Sequence, residues 1–172
     1  YSEPTMVLLH TNPAVGRAWS GRLGRPEGGT RYSLYLTAIS VSVRHQRSAV
    51  LWSTEVPADA EQVHASGKTG CMVICVNALV AISNTGQISQ CLAVNGWAPS
   101  TLSQNYKVQA NPWPFPKLAI ALDGAQVSFV NDKAAFVVLS CGQVYLLQHN
   151  NAWSLSPFYT TLVALAQVSN LQ

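Results

Sequence analysis

Short apolar runs recur along almost the whole chain, several of them separated by residue pairs suited to tight turns. This rhythm constrains the fold more than any other feature of the sequence. Runs of strand character cover Thr5 to His10, Tyr32 to Arg44, Ala49 to Glu55, Cys71 to Val76, Leu79 to Ser83, Gln87 to Val94, Leu118 to Leu122, Gln126 to Val130, Ala134 to Leu139 and Gln143 to Gln148. Between them stand Thr85-Gly86, Asp123-Gly124, Asn131-Asp132, Cys141-Gly142 and Asn150-Asn151, which supply Gly, Asn or Asp where a tight turn needs positive φ. The second half therefore reads as a meander of hairpins. Its clearest unit runs from Gln126 through Ala134 to Leu139 and Gln143 to Gln148 and on to Trp153. A propeller blade has that form.

Three stretches break the rhythm. Thr11 to Arg31 holds a Gly/Arg-rich loop, Asn95 to Pro116 carries Pro99, Pro112, Pro114 and Pro116, and Pro57 to Ser66 suits one or two helical turns. The first and second read as insertions at about 11–31 and 95–116 within one β segment covering residues 1–172. Thr160 to Val168 fits a helix and a strand equally. About ten strands at four per blade give two to three blades of antiparallel four-stranded sheets, whereas a closed ring needs at least four blades. The expected fold is thus all-β, a partial β-propeller or, on pattern alone, a β-sandwich.

A chain of 172 residues and 18.5 kDa supports one folding unit with a real core. It carries only ten Lys and Arg and seven Asp and Glu. Spread over roughly 8,000 Å² of surface, that is about one charge per 480 Å², against about one per 190 Å² at average composition. A surface so short of charge suits a piece whose faces other protein covers, or a secreted β protein solvated by neutral polar groups. The chain opens at Tyr1 directly into a strand pattern, as an excerpt would. Its longest apolar run, Cys71 to Ile82, contains Asn77 and is too short to cross a membrane.

Few residues suggest chemistry. Cys71 and Cys75 lie on one side of a strand, roughly 13 Å apart, too far for one metal centre. Cys91 and Cys141 come singly, so four reduced, buried thiols are expected, with no metal or other cofactor. His10, His45, His64 and His149 sit near predicted strand ends outside any catalytic signature and read as surface residues. The acids Glu3, Glu27, Glu55, Asp59, Glu61, Asp123 and Asp132 fall in or near loops and single out no pair. The one basic cluster, Arg17, Arg22, Arg25 and Arg31, lies on the glycine-rich loop, which lacks the ending of a phosphate-binding loop. It is the candidate binding site for RNA or a partner. Trp113-Pro114-Phe115-Pro116, with Trp97 and Pro99, is a candidate docking surface or a pin for a long connection.

A series of local patterns carries a resemblance. Ser2-Glu3-Pro4-Thr5-Met6-Val7-Leu8-Leu9 is followed by Gly16-Arg17, by the strand Tyr32 to Val43 leading to Val50-Leu51-Trp52-Ser53, and by Val76-Asn77-Ala78-Leu79-Val80. Leu122-Asp123-Gly124-Ala125 and Gly142-Gln143-Val144-Tyr145-Leu146-Leu147 complete it. In this order the patches resemble the large subunit of the cleavage and polyadenylation specificity factor, with departures between Ala18 and Thr30 and between Asn95 and Pro116. The resemblance implies part of the N-terminal propeller of a nuclear protein in pre-mRNA 3′-end processing. It implies a non-enzymatic scaffold whose partners are the other subunits and the rest of its own propeller, with RNA contacted indirectly at most. Alternatives are an adaptor of a ubiquitin ligase or splicing complex on the same fold, and a secreted sandwich that binds a small ligand.

Overall fold

A computed structural model describes residues 4–11, 34–66, 70–95, 106–110 and 120–158. The protein is all-β, with three sheets among the described residues and two compact units, Tyr1–Ala60 and Glu61–Gln172.

In the first unit β1 (Thr5–Thr11), β2 (Leu34–Ser42) and β3 (Arg47–Val56) form an antiparallel sheet in chain order. Thr5 faces Ser40 and Thr11 faces Leu34 across β1 and β2, and Val41 N–H donates to the Pro4 carbonyl at 2.9 Å. Trp52 lies opposite Ala38 and Val50 opposite Ile39, so Leu51 is the extra residue of a bulge that bends β3. Leu36 and Ala38, two apart on β2, are fully buried on one face. The β2–β3 turn places Gln46 at φ 49°, a conformation more usual for Gly or Asn.

The second unit holds two sheets. One runs in the order β4 (Ala60–Ser66), β5 (Gly70–Cys75), β6 (Ala78–Ser83), β7 (Ile88–Ala93) and β8 (Val108–Ala110). The pairs β5–β6 and β6–β7 are antiparallel, and β8 is parallel to β7. The other is the meander β9 (Gln126–Asn131), β10 (Ala134–Val138), β11 (Val144–His149) and β12 (Trp153–Pro157). Strands β5 and β6 are unbroken apolar runs because both of their faces are buried. Met72, Ile74, Leu79, Leu92 and Val94 pack in one cluster with Val137, Tyr145, Leu147, Trp153 and Leu155. Ile120 and Leu122 join that core, and Leu122 N–H is tied to the Val76 carbonyl at 2.8 Å. Two packed sheets belong to a partial propeller and to a sandwich alike. Strands β4 to β7 and β9 to β12 each follow in chain order within their sheets, with β8 added beside β7.

Several expectations change. Pro57 to Ser66 is not helical: after a turn closed by Ala60 N–H to the Pro57 carbonyl at 3.0 Å, the chain enters β4, because pairing beside β5 overrides the helical preference of Ala60, Glu61 and Gln62. Ile120 to Leu122 is irregular backbone rather than a strand, held as a plug of the core by Ile120 and Leu122. Gly86, Gly124, Gly142 and Asn151 take the positive φ expected of them, but Asn131 and Asp132 do not. There the Asn131 carboxamide accepts from Lys133 N–H at 2.8 Å, an Asx turn that needs no left-handed residue. Cys141 is exposed on a turn, not buried, because Gly142 turns the chain there. Strand β8 lies within the stretch expected to be an insertion.

Candidate functional site

The basic cluster Arg17, Arg22, Arg25 and Arg31 lies outside the described residues, as does the Trp113 to Pro116 segment with Trp97 and Pro99. What the described residues bring together falls into three groups.

The first is a set of polar side chains that tie strands and connections of the second unit together. Gln90, on β7, is 8 % exposed and grips the backbone of Trp153 on β12 at both polar atoms. Trp153 N–H donates to Gln90 Oε1 at 2.7 Å, and Gln90 Nε2 donates to the Trp153 carbonyl at 2.9 Å. Gln62 on β4 donates through Nε2 to the Ala125 carbonyl at 2.7 Å, and Asn95 Nδ2 reaches the Ile120 carbonyl at 3.0 Å and Asn77 Oδ1 at 3.1 Å. Each clamp satisfies backbone groups that a core of apolar side chains would leave unpaired. Around the Gln90 clamp stands an aromatic row. Phe129 meets Trp153 edge-on at 6.3 Å between centroids, His149 meets Trp153 at 5.1 Å, and His64 lies 6.4 Å from Phe129. The expectation of four surface histidines therefore holds for His10 and His45 only, since His64 and His149 are half-buried. Burial holds the His64 pKa below its ordinary value, and its Nε2 meets Gln62 Oε1 at 3.0 Å.

The second group crosses the sheet of the first unit. His10 Nδ1 lies 3.1 Å from the Thr11 carbonyl, His10 Nε2 lies 2.8 Å from Thr37 Oγ1, and Thr37 Oγ1 lies 2.8 Å from Ser53 Oγ. A neutral imidazole protonated at Nδ1 satisfies all three, with Ser53 donating to Thr37 and Thr37 to His10. This is a serine-to-histidine relay in form. Its far end is a backbone carbonyl, where a serine hydrolase places a carboxylate to offset the imidazolium that general-base action creates. The relay is a cross-strand ladder, with His10 also stacked on Tyr35, its direct neighbour on β2, at 6.2 Å.

The third group lines a cavity of about 300 Å³ at the turn end of the β2–β3 hairpin, formed by Ser40, Ser42, His45, Arg47, Ser48 and Ala49. The register sets Ser40 opposite Ala49 and Ser42 opposite Arg47, which puts these four residues on one face. Sequence reasoning missed this group because no short motif carries it. The only signal is Ser40-x-Ser42 and Arg47 flanking a turn.

The cysteines do not converge: Cys71, Cys75 and Cys91 are buried, Cys141 is exposed and all four are free thiols. Burial pushes the Cys71 thiol up to about 11. No group of three or more His, Cys, Asp or Glu among the described residues is arranged to hold a metal ion. No protein-family model matches the chain.

Proposed function

We propose that this chain is a non-enzymatic scaffold segment of the cleavage and polyadenylation specificity factor, acting in the nucleus during pre-mRNA 3′-end processing. It works through protein–protein contacts with other subunits of that complex and with the rest of its own propeller, and it meets RNA indirectly at most. The observation that carries the reading is the ordered series of sequence patches resembling that factor's large subunit. The fold is in keeping with it. Gly16-Arg17 lies outside the described residues; the other patches fall on β1, on β2, on β3, on the β5–β6 turn, on the Leu122 to Ala125 turn and on β11. They therefore mark framework positions of three successive sheets and not one surface loop. Cross-links such as Gln90 to Trp153 tie the strands of the second unit together, which suits a scaffold.

The test is co-expression of the tagged chain with the subunits of the 3′-end-processing complex, followed by affinity purification and mass spectrometry. Stoichiometric recovery of those subunits is the expected result. Recovery of ubiquitin-ligase or splicing subunits in their place, or of none, overturns the assignment.

A further inference from the structure

We propose that the turn end of the β2–β3 hairpin is a docking site for a phosphorylated serine or threonine in an extended segment of a partner protein. The residues around the cavity there are Ser40, Ser42, His45, Arg47, Ser48 and Ala49. Ser40, Ser42 and Arg47 stand on one face, the turn carries His45 beside them, and Ala49 is small enough to leave room. Every polar side chain in this set can donate a hydrogen bond, and none is a carboxylate. A tetrahedral phosphate asks for that combination, with a planar fork from arginine and single donors from hydroxyls around it. Ser42 is only 9 % exposed, so its position is set by the sheet rather than by solvent.

The charge of the unit is laid out along β3. Arg44, His45 and Arg47 lie at the turn, and neither arginine is ion-paired among the described residues. The carboxylates among the unit's described residues, Glu55 and Asp59, lie toward the other end of β3, with Glu55 about 26 Å from Arg47 at strand rise. Among the described residues, no carboxylate stands near the hairpin end to oppose an anion there.

Three features favour a phosphopeptide over a nucleic acid. Affinity for a phosphate backbone comes from several basic groups acting on successive phosphates, and here the donors converge on one cavity. Beside it Val43 and Val50 are 76 % and 66 % exposed, and Leu51 is exposed as well, which suits peptide side chains and not a sugar-phosphate chain. Among the described residues, strand β3 is also an edge of its sheet, with Arg47 to Leu51 exposed, so an extended peptide can add to it as a further strand while its phosphate enters the cavity. This deepens the scaffold reading, and it rests on that reading only in taking a protein as the source of the phosphate.

The experiment uses the full chain labelled with ¹⁵N and four probes: inorganic phosphate, a valine-threonine heptapeptide with a central phosphoserine, its unphosphorylated twin, and a twelve-nucleotide oligouridylate. The phosphopeptide is expected to bind at least tenfold more tightly than its twin, to shift amides between residues 40 and 51, and to be displaced by inorganic phosphate. Arg47→Gln, an exposed change that leaves the amide spectrum dispersed, removes the preference, and Ser42→Ala weakens it several-fold. Equal binding of the two peptides, a preference that survives in Arg47→Gln, or tighter binding of oligouridylate than of phosphopeptide overturns the proposal. If the phosphopeptide fails while the chain still assembles with its processing subunits, only the hairpin inference falls.

Discussion

Replacing Gln90 by Leu tests whether polar clamps hold the two sheets of the second unit together. The substitution keeps nearly the same volume and removes both partners of the Trp153 backbone, the 2.7 Å bond to its N–H and the 2.9 Å bond to its carbonyl. Trp153 pairs with His149 on β11, and β12 is the edge of its sheet among the described residues, none of which stands ready to replace Gln90. Each buried backbone group left unsatisfied costs about 1–3 kcal/mol. Two such groups on one residue relax together, and the added apolar burial of Leu offsets part of the loss, so about 2–4 kcal/mol is expected. For a chain of this size that is a fall in Tm of about 4–16 °C. Urea unfolding followed by tryptophan fluorescence measures the free energy, and hydrogen exchange reads the Trp153 amide directly. Gln90→Glu separates the hydrogen bonds from packing: a carboxylate repels the Trp153 carbonyl, while the protonated acid restores one donor. The native state then favours the neutral acid and raises its pKa, so this variant gains stability relative to wild type as pH falls through that raised value. A loss below about 0.5 kcal/mol for Gln90→Leu, with the Trp153 amide still protected, would refute the clamp argument.

Gly70→Ala is expected to destabilise the chain by about 2–4 kcal/mol in urea unfolding, because Gly70 sits at φ 152° and an added methyl runs into the Ile82 backbone carbonyl on β6. A cost under about 0.5 kcal/mol would show that β5 and β6 separate freely at that point. Stability is expected to fall with pH through His64: burial favours its neutral form, so the unfolded state takes up a proton near pH 6.5 that the native state binds only at lower pH. This contribution is complete above about 6.5 and is lost below it. His64→Gln should flatten that part of the profile, and an unchanged slope counts against the assignment. An aromatic disulfide reagent should modify Cys141 rapidly and the buried Cys71, Cys75 and Cys91 only on unfolding. Cys141→Ser abolishes the fast phase, whose persistence would mean a second thiol is reachable.

Strands whose signal is local were legible in the sequence. The β9 to β12 meander announces itself by alternation and by Gly124, Gly142 and Asn151, which take the left-handed conformations that their residue types permit. Strand β4 was not legible, because Ala60, Glu61 and Gln62 favour a helix and only the pairing beside β5 makes them extended. Ile120 and Leu122 misled in the opposite way: an apolar run can fill a core without joining a ladder. The hairpin cavity was invisible for a geometric reason. Ser42 and Arg47 become neighbours through a register closed by a turn with Gln46 at positive φ, and glutamine is not a residue from which such a turn is read.

The clamps were the least legible feature, and they do the most to make one arrangement of the second unit preferable to others. Gln90 and Trp153 are separated by 63 residues, as are Gln62 and Ala125, so no window along the chain contains both partners. Apolar contacts between Leu79, Leu92, Leu147 and Leu155 stabilise any stacking that buries them, because the hydrophobic effect has no direction. Hydrogen bonds do have direction. A slip of β7 by one residue would turn Gln90 to the opposite face and leave the Trp153 backbone buried without a partner. Each correct bond adds only about 1 kcal/mol net, while each missing one costs about 1–3 kcal/mol. The clamps thus penalise wrong registers more than they reward the right one. A neutral glutamine suits that role better than an ion pair, because its burial desolvates no charge and the bonds persist at any ionic strength.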